Sequence, residues 1–112
     1  MASIHVVARQ QEQTPDLFWH EGVFIFVSGW WKINEEKVAS LMGGTVFLHE
    51  TKLVPSRMGG TILDIFPAPE GGPYEGRFAI RFQSTLEARF VAWNWGDNAP
   101  NMLAELTVNL DE

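Results

Sequence analysis

Side chains able to do polar chemistry gather in one stretch of this chain, Gly43-Gly44-Thr45-Val46-Phe47-Leu48-His49-Glu50-Thr51-Lys52-Leu53-Val54-Pro55-Ser56-Arg57-Met58-Gly59-Gly60-Thr61-Ile62. It reads as a strand, a polar loop holding Lys52, Ser56 and Arg57, and a second strand, with a glycine pair at each entrance. The loop supplies hydrogen-bond donors, and Gly59-Gly60 lets backbone approach a ligand closely, which suits a phosphate or carboxylate. A solvated hairpin with turn glycines accounts for the same residues without any ligand. The spacing of a nucleotide-binding P-loop is absent.

Aromatic residues form the second chemical set. On a strand, Trp30 and Trp31 face opposite sides, so one ring can pack in the core while its neighbour lines a surface. Trp93-Asn94-Trp95 places two rings on one face with Asn94 on the other. Aromatic faces stack bases and an amide reads base edges, so Trp and Asn together suit a planar heterocycle. Core or rim packing is the competing role for each ring.

Catalytic and metal patterns are weak. His5, His20 and His49 lack helical i, i+3 or i+4 spacing, and His49-Glu50 point to opposite strand faces, so neither a metal site nor a cofactor is expected. His49 shares its strand face with Phe47, which points to a hydrogen-bonded interior or pocket histidine. Ser28-Gly29 and Ser56 stand outside any Gly-x-Ser-x-Gly elbow. Asp64 lies within an apolar strand, and strand parity does not bring it to His49, so a small hydrolase or isomerase built on that pair ranks last.

The elements that must hold these groups follow from periodicity. Ile4–Ala8 opens as a strand, 9–16 is a loop, and Leu17-Phe18-Trp19-His20 reads as a turn of helix or a lid. Gly22–Lys32, β-branched and aromatic, is the strongest strand and is broken at Gly29. Asn34 caps a short helix over about 34–43, with Glu35 and Glu36 in its first turn, Val38, Leu41 and Met42 at helical spacing, and Gly43 as its stop. After the central hairpin and the Pro67–Pro73 loop, Phe78, Ile80 and Phe82 alternate with Arg77, Arg81 and Gln83. Glu87–Trp95 reads as the returning strand, 96–100 as a loop, and Ala104–Leu110 as a half-exposed final strand. The expectation is a single α+β domain over 1–112, mainly β. Its sheet is small, curled and antiparallel or mixed, or a partly open β-barrel, with six to seven strands and that one helix.

With 112 residues, five Trp and eight Phe, the chain carries ample core material. It lacks cysteine, a signal-peptide pattern and any run near the roughly 18 apolar residues of a membrane span, so a cytoplasmic protein without membrane contact is expected. A net charge of −6, from 14 acids and 8 bases, argues against general coating of nucleic acid. Recognition of one nucleotide in a pocket needs few charges and stays open.

Ser28-Gly29-Trp30-Trp31, Gly43-Gly44-Thr45-Val46-Phe47-Leu48-His49 and Gly59-Gly60-Thr61-Ile62, within 22–95, resemble the PUA-like superfamily of PUA, ASCH and EVE domains. The resemblance implies a small, partly open β-barrel with flanking helices that binds RNA or modified DNA bases in a cleft. It places Trp30, Trp31, His49, Ser56, Arg57 and Trp93 near that cleft. This chain departs from the family in having no evident basic strip and one clear helix. The resulting expectation is a noncatalytic module that binds a nucleotide or modified base beside the 45–66 hairpin. Its ligand-binding residues are Trp30, Trp31, His49, Lys52, Ser56, Arg57, Trp93 and Asn94. The alternative is a protein-interaction domain whose tryptophans form a homodimer patch.

Overall fold

Alternating apolar residues build a curled sheet around one core. The computed structural model of the chain describes residues 2–7, 18–20, 24–93 and 106–109. In chain order the elements are β1 (Ser3–Val7), β2 (Phe18–His20), β3 (Ile25–Trp31), α1 (Glu35–Leu41), β4 (Thr45–His49), β5 (Met58–Pro67), β6 (Phe78–Ser84) and β7 (Leu106–Asn109). The sheet order is β2-β3-β6-β5-β4-β1-β7, with β1 parallel to β4 and the other pairs antiparallel.

Seven segments pair in this sheet, but the curled half-barrel counts five strands, so the six to seven that the sequence suggests are not confirmed as strands of the half-barrel. The two edge segments β2 and β7 are only 3 and 4 residues long and extend the ladder little. Two further readings are corrected. The 18–20 segment is extended, paired in register with Phe26–Ser28, rather than helical. Residues 86–93 return as a 3₁₀ turn, Leu86–Ala88, followed by irregular chain, not as a strand. The physical reason is local: Phe90 adopts φ 61°, off the extended path, and the segment spends its backbone groups on Ser56 instead of a ladder.

The central hairpin forms with Thr45 opposite Thr61 and Leu48 opposite Met58. A bulge between Ile62 and Asp64 then turns both Ile62 and Ile65 inward despite their spacing of three. Ile4, Val6, Val46, Leu48, Ile80 and Phe82, all fully buried, meet them on the core face with Trp31, Ile33 and Leu41. Each such side chain contributes about 1.5–3 kcal/mol through burial. Trp31 satisfies its indole N–H on the Ser28 hydroxyl at 3.1 Å.

Helix α1 starts where expected, its Asn34 side chain accepting from the Glu36 N–H at 3.0 Å. It stops at Gly43, whose φ of 79° costs a glycine little. Gly43 N–H donates to the Ile62 carbonyl at 3.2 Å and Ile62 N–H to the Gly44 carbonyl at 2.8 Å, tying the helix end to β5. Among the described residues no helix is long and apolar enough to cross a membrane.

Candidate functional site

The residues with chemistry lie on the face of the sheet opposite the core, and there they form two clusters rather than one. Near the loop end of the hairpin, parallel pairing sets His5 beside Phe47 and Val7 beside His49. His5 stacks on Phe47 at 4.6 Å between ring centroids and 22° between planes, and both histidines are fully buried. Their Nδ1 (His5) and Nε2 (His49) nitrogens are 2.8 Å apart. His49 Nδ1 lies 2.9 Å from the Val54 carbonyl oxygen. That oxygen only accepts, so His49 carries its proton on Nδ1, its Nε2 is a lone pair, and His5 donates from Nδ1. Burial pushes the His49 pKa down, with the Val54 hydrogen bond opposing it.

Trp93 covers this pair, edge-on to His49 at 5.1 Å and tilted against His5 at 5.6 Å. The Lys52 ammonium stands 5.7 Å from the centre of the Trp93 ring, a cation–π contact. Ser56 is fully buried and works as a clamp. Its hydroxyl donates to the Ala88 carbonyl at 2.6 Å and accepts from Val91 N–H at 2.9 Å. Its backbone N–H donates to the Val91 carbonyl at 2.8 Å, and its carbonyl accepts from Phe90 N–H at 2.7 Å. Arg57 is half-buried, which pulls its pKa down, while the Glu50 carboxylate opposes the shift. One guanidinium nitrogen lies 3.9 Å from the Met58 sulfur.

The second cluster is at the far end of β5. Trp30 meets Phe66 edge-on at 5.8 Å and 86°, and stacks with Tyr74 at 6.2 Å and 23°. The three rings come from β3, β5 and the 68–77 loop, and each is half-buried. Strand β6 runs between β3 and β5, and its residue there is Ala79, small enough to let the rings of its neighbours meet.

The sequence-derived set therefore divides. His49, Lys52, Ser56 and Trp93 come together, with Arg57 beside them on the loop, while Trp30 stands with Phe66 and Tyr74. Trp31 faces the core at 8% exposure, and Asn94 lies outside the described residues. The clusters are separated by most of β5, from Met58 to Phe66, roughly 25 Å along an extended strand. Asp64 likewise lies roughly 20 Å along β5 from the His49 end, opposite Arg81. Its carboxylate accepts from Ile65 N–H at 2.9 Å, so no Asp64–His49 base pair exists.

Sequence reasoning missed His5, Phe66 and Tyr74. The alternation of Ile4, His5 and Val6 put His5 on the non-core face, but only the parallel β1–β4 register shows that it meets His49. Among the described residues no group of three or more His, Cys, Asp or Glu is placed to hold a metal ion. Comparisons with family models, curated proteins and solved structures return no match.

Proposed function

We propose that this protein is a noncatalytic binding module that takes a planar heterocycle, of the nucleotide or modified-base class, on the aromatic set of Trp30, Phe66 and Tyr74. The carrying observation is that these three half-buried rings converge from three separate elements off the core face. Aromatic platforms of this kind stack bases by about 1–3 kcal/mol each. The cluster named from the hairpin loop fits a packing role better, because His49, Ser56 and Trp93 are all buried, His49 against Trp93 and Ser56 against the 88–91 backbone. The PUA-like resemblance, which implies a cleft for a base, points to the same ligand class. The net charge of −6 favours one nucleotide, free or in RNA or modified DNA, over a duplex backbone.

Titration of plain and modified oligonucleotides against tryptophan fluorescence tests the reading. Saturable binding is expected, weakened tenfold or more in Trp30→Ala and Tyr74→Ala. No response, or binding untouched by both substitutions, refutes it.

A second reading, a protein-interaction surface or homodimer, rests on other residues than the tryptophans. Leu53, Leu86 and Phe90 are 79%, 77% and 82% exposed, and Ser56 joins their segments. Light scattering on Phe90→Ser decides it: a dimer in the wild type that this change dissociates favours the surface.

A further inference from the structure

Two arginines flank the Trp30–Phe66–Tyr74 cluster, and stacking alone does not use them. In β6, Ile80 and Phe82 are fully buried in the core and Phe78 packs against it. Alternation therefore puts Arg77, Ala79 and Arg81 on the opposite face, the face of the rings. Arg77 precedes the strand, but its carbonyl accepts from Ala68 N–H at 2.9 Å, which carries the β5–β6 ladder one step past Pro67 and Phe78. Ala79 pairs with Phe66 and packs on Gly29, the residue before Trp30. The Trp30 and Phe66 rings thus meet across Ala79, with Arg77 and Arg81 each two residues away, roughly 7 Å along the strand in opposite directions. Arg77 N–H donates to the Tyr74 carbonyl at 3.0 Å, so the third ring belongs to the turn that ends at Arg77. Both arginines are half-buried.

We infer that Arg77 and Arg81 hold the phosphates on either side of the stacked base, so that the ligand is an internal nucleotide of a single strand and not a free nucleotide. The inference rests on the stacking reading of the same site. A free mononucleotide carries phosphate on one side of its sugar, whereas an internal nucleotide has one on each side. Two guanidinium groups at opposite ends of a ring platform match the second arrangement, with the nucleic-acid backbone running along β6. A guanidinium fork also suits phosphate, because it offers paired N–H donors to its oxygens. A base held on side-chain rings is unstacked from its neighbours, as in single strands.

Two acids stand near the arginines, Asp64 opposite Arg81 and Glu75 in the loop beside Arg77. Asp64 accepts from Ile65 N–H and Glu75 from Gly71 N–H, each at 2.9 Å. Each carboxylate therefore has a backbone donor, and a guanidinium with five N–H donors serves a carboxylate and a phosphate together. The same acids repel further backbone charge, which confines the contact to the two flanking phosphates.

Fluorescence titration of the full chain with a nucleoside, its 5′-mononucleotide and a trinucleotide without terminal phosphates, for each of the four bases, tests the inference. That trinucleotide carries only the two phosphates that flank its middle base. It is expected to bind about tenfold or more tighter than the mononucleotide. Its neutral methylphosphonate analogue is expected to bind no tighter than the nucleoside, a comparison that needs no protein variant. With a single-stranded dodecanucleotide, two phosphate contacts give a slope of about −1.4 in log K against log salt, or about sevenfold weaker binding at 200 than at 50 mM. Arg77→Gln and Arg81→Gln are each expected to halve that slope and to leave nucleoside binding unchanged. Where Trp30→Ala weakens binding, three results overturn this inference alone: equal affinity for the trinucleotide and its methylphosphonate analogue, a slope near zero, or an effect of only one arginine or neither. Binding untouched by Trp30→Ala overturns the stacking reading and this inference with it.

Discussion

Ser56→Ala removes one oxygen from a loop residue and is expected to cost more than most core truncations of that size. The hydroxyl donates to the Ala88 carbonyl and accepts from Val91 N–H, both contacts beneath the surface. Alanine leaves the two backbone groups in place without their partner. An unsatisfied buried polar group costs about 1–3 kcal/mol. Ala88 is buried and Val91 half-buried, so the two together put the loss at about 2–4 kcal/mol. For a chain of this size that is a fall in Tm on the order of 10 °C. Urea unfolding followed by fluorescence measures it, with Ser40→Ala on the exposed side of α1 as the control, expected within about 0.5 kcal/mol of wild type. A Ser56→Ala loss no larger than the control's would show that the clamp does not hold 86–93 to the loop.

Gly60→Ala should abolish soluble expression, because a Cβ there runs into the Gln83 carbonyl across the β5–β6 ladder, with backbone rather than a flexible side chain in the way. Asn34→Ala loses the cap of α1 and should cost about 1 kcal/mol in urea unfolding, with no effect on ligand binding. Stability should also depend on pH through His49. Its folded pKa lies below 6.5, so the unfolded chain binds more protons between that lower value and 6.5. Its contribution is therefore complete above pH 6.5 and is lost as the pH falls toward the folded value. Urea midpoints across pH 5–8 should show this fall in the wild type and a shallower one in His49→Asn, which keeps a donor for the Val54 carbonyl.

Local patterns exposed much of this architecture before any coordinates. Asn34, Glu35 and Gly43 marked the helix because capping is decided within a few residues, and the structure places the helix at Glu35–Leu41. Phe78, Ile80 and Phe82 marked β6 because alternation is a strand's own signature. The 87–95 run misled because its composition is strand-like, whereas the path of its described part, 87–93, is tied to Ser56, over thirty residues away. The grouping of site residues was hidden for the same reason. Which tryptophan meets which neighbour depends on strand order, and Tyr74, on the loop joining β5 to β6, meets Trp30 of β3 on the far side of β6 from β5. Spacing in the chain gave Trp30 and Trp31 opposite faces, and the structure has Trp31 inside and Trp30 half-buried. It held no information that His5 and His49 are partners.

The central claim is that the ligand sits on Trp30, Phe66 and Tyr74, far from the histidine end of the hairpin. Indole N–H resonances of the ¹⁵N-labelled protein, followed while a mononucleotide is added, test it most directly. The account predicts a saturable shift of the Trp30 indole with that of Trp93 unmoved. Shifts centred on Trp93, or none at any indole, would contradict it.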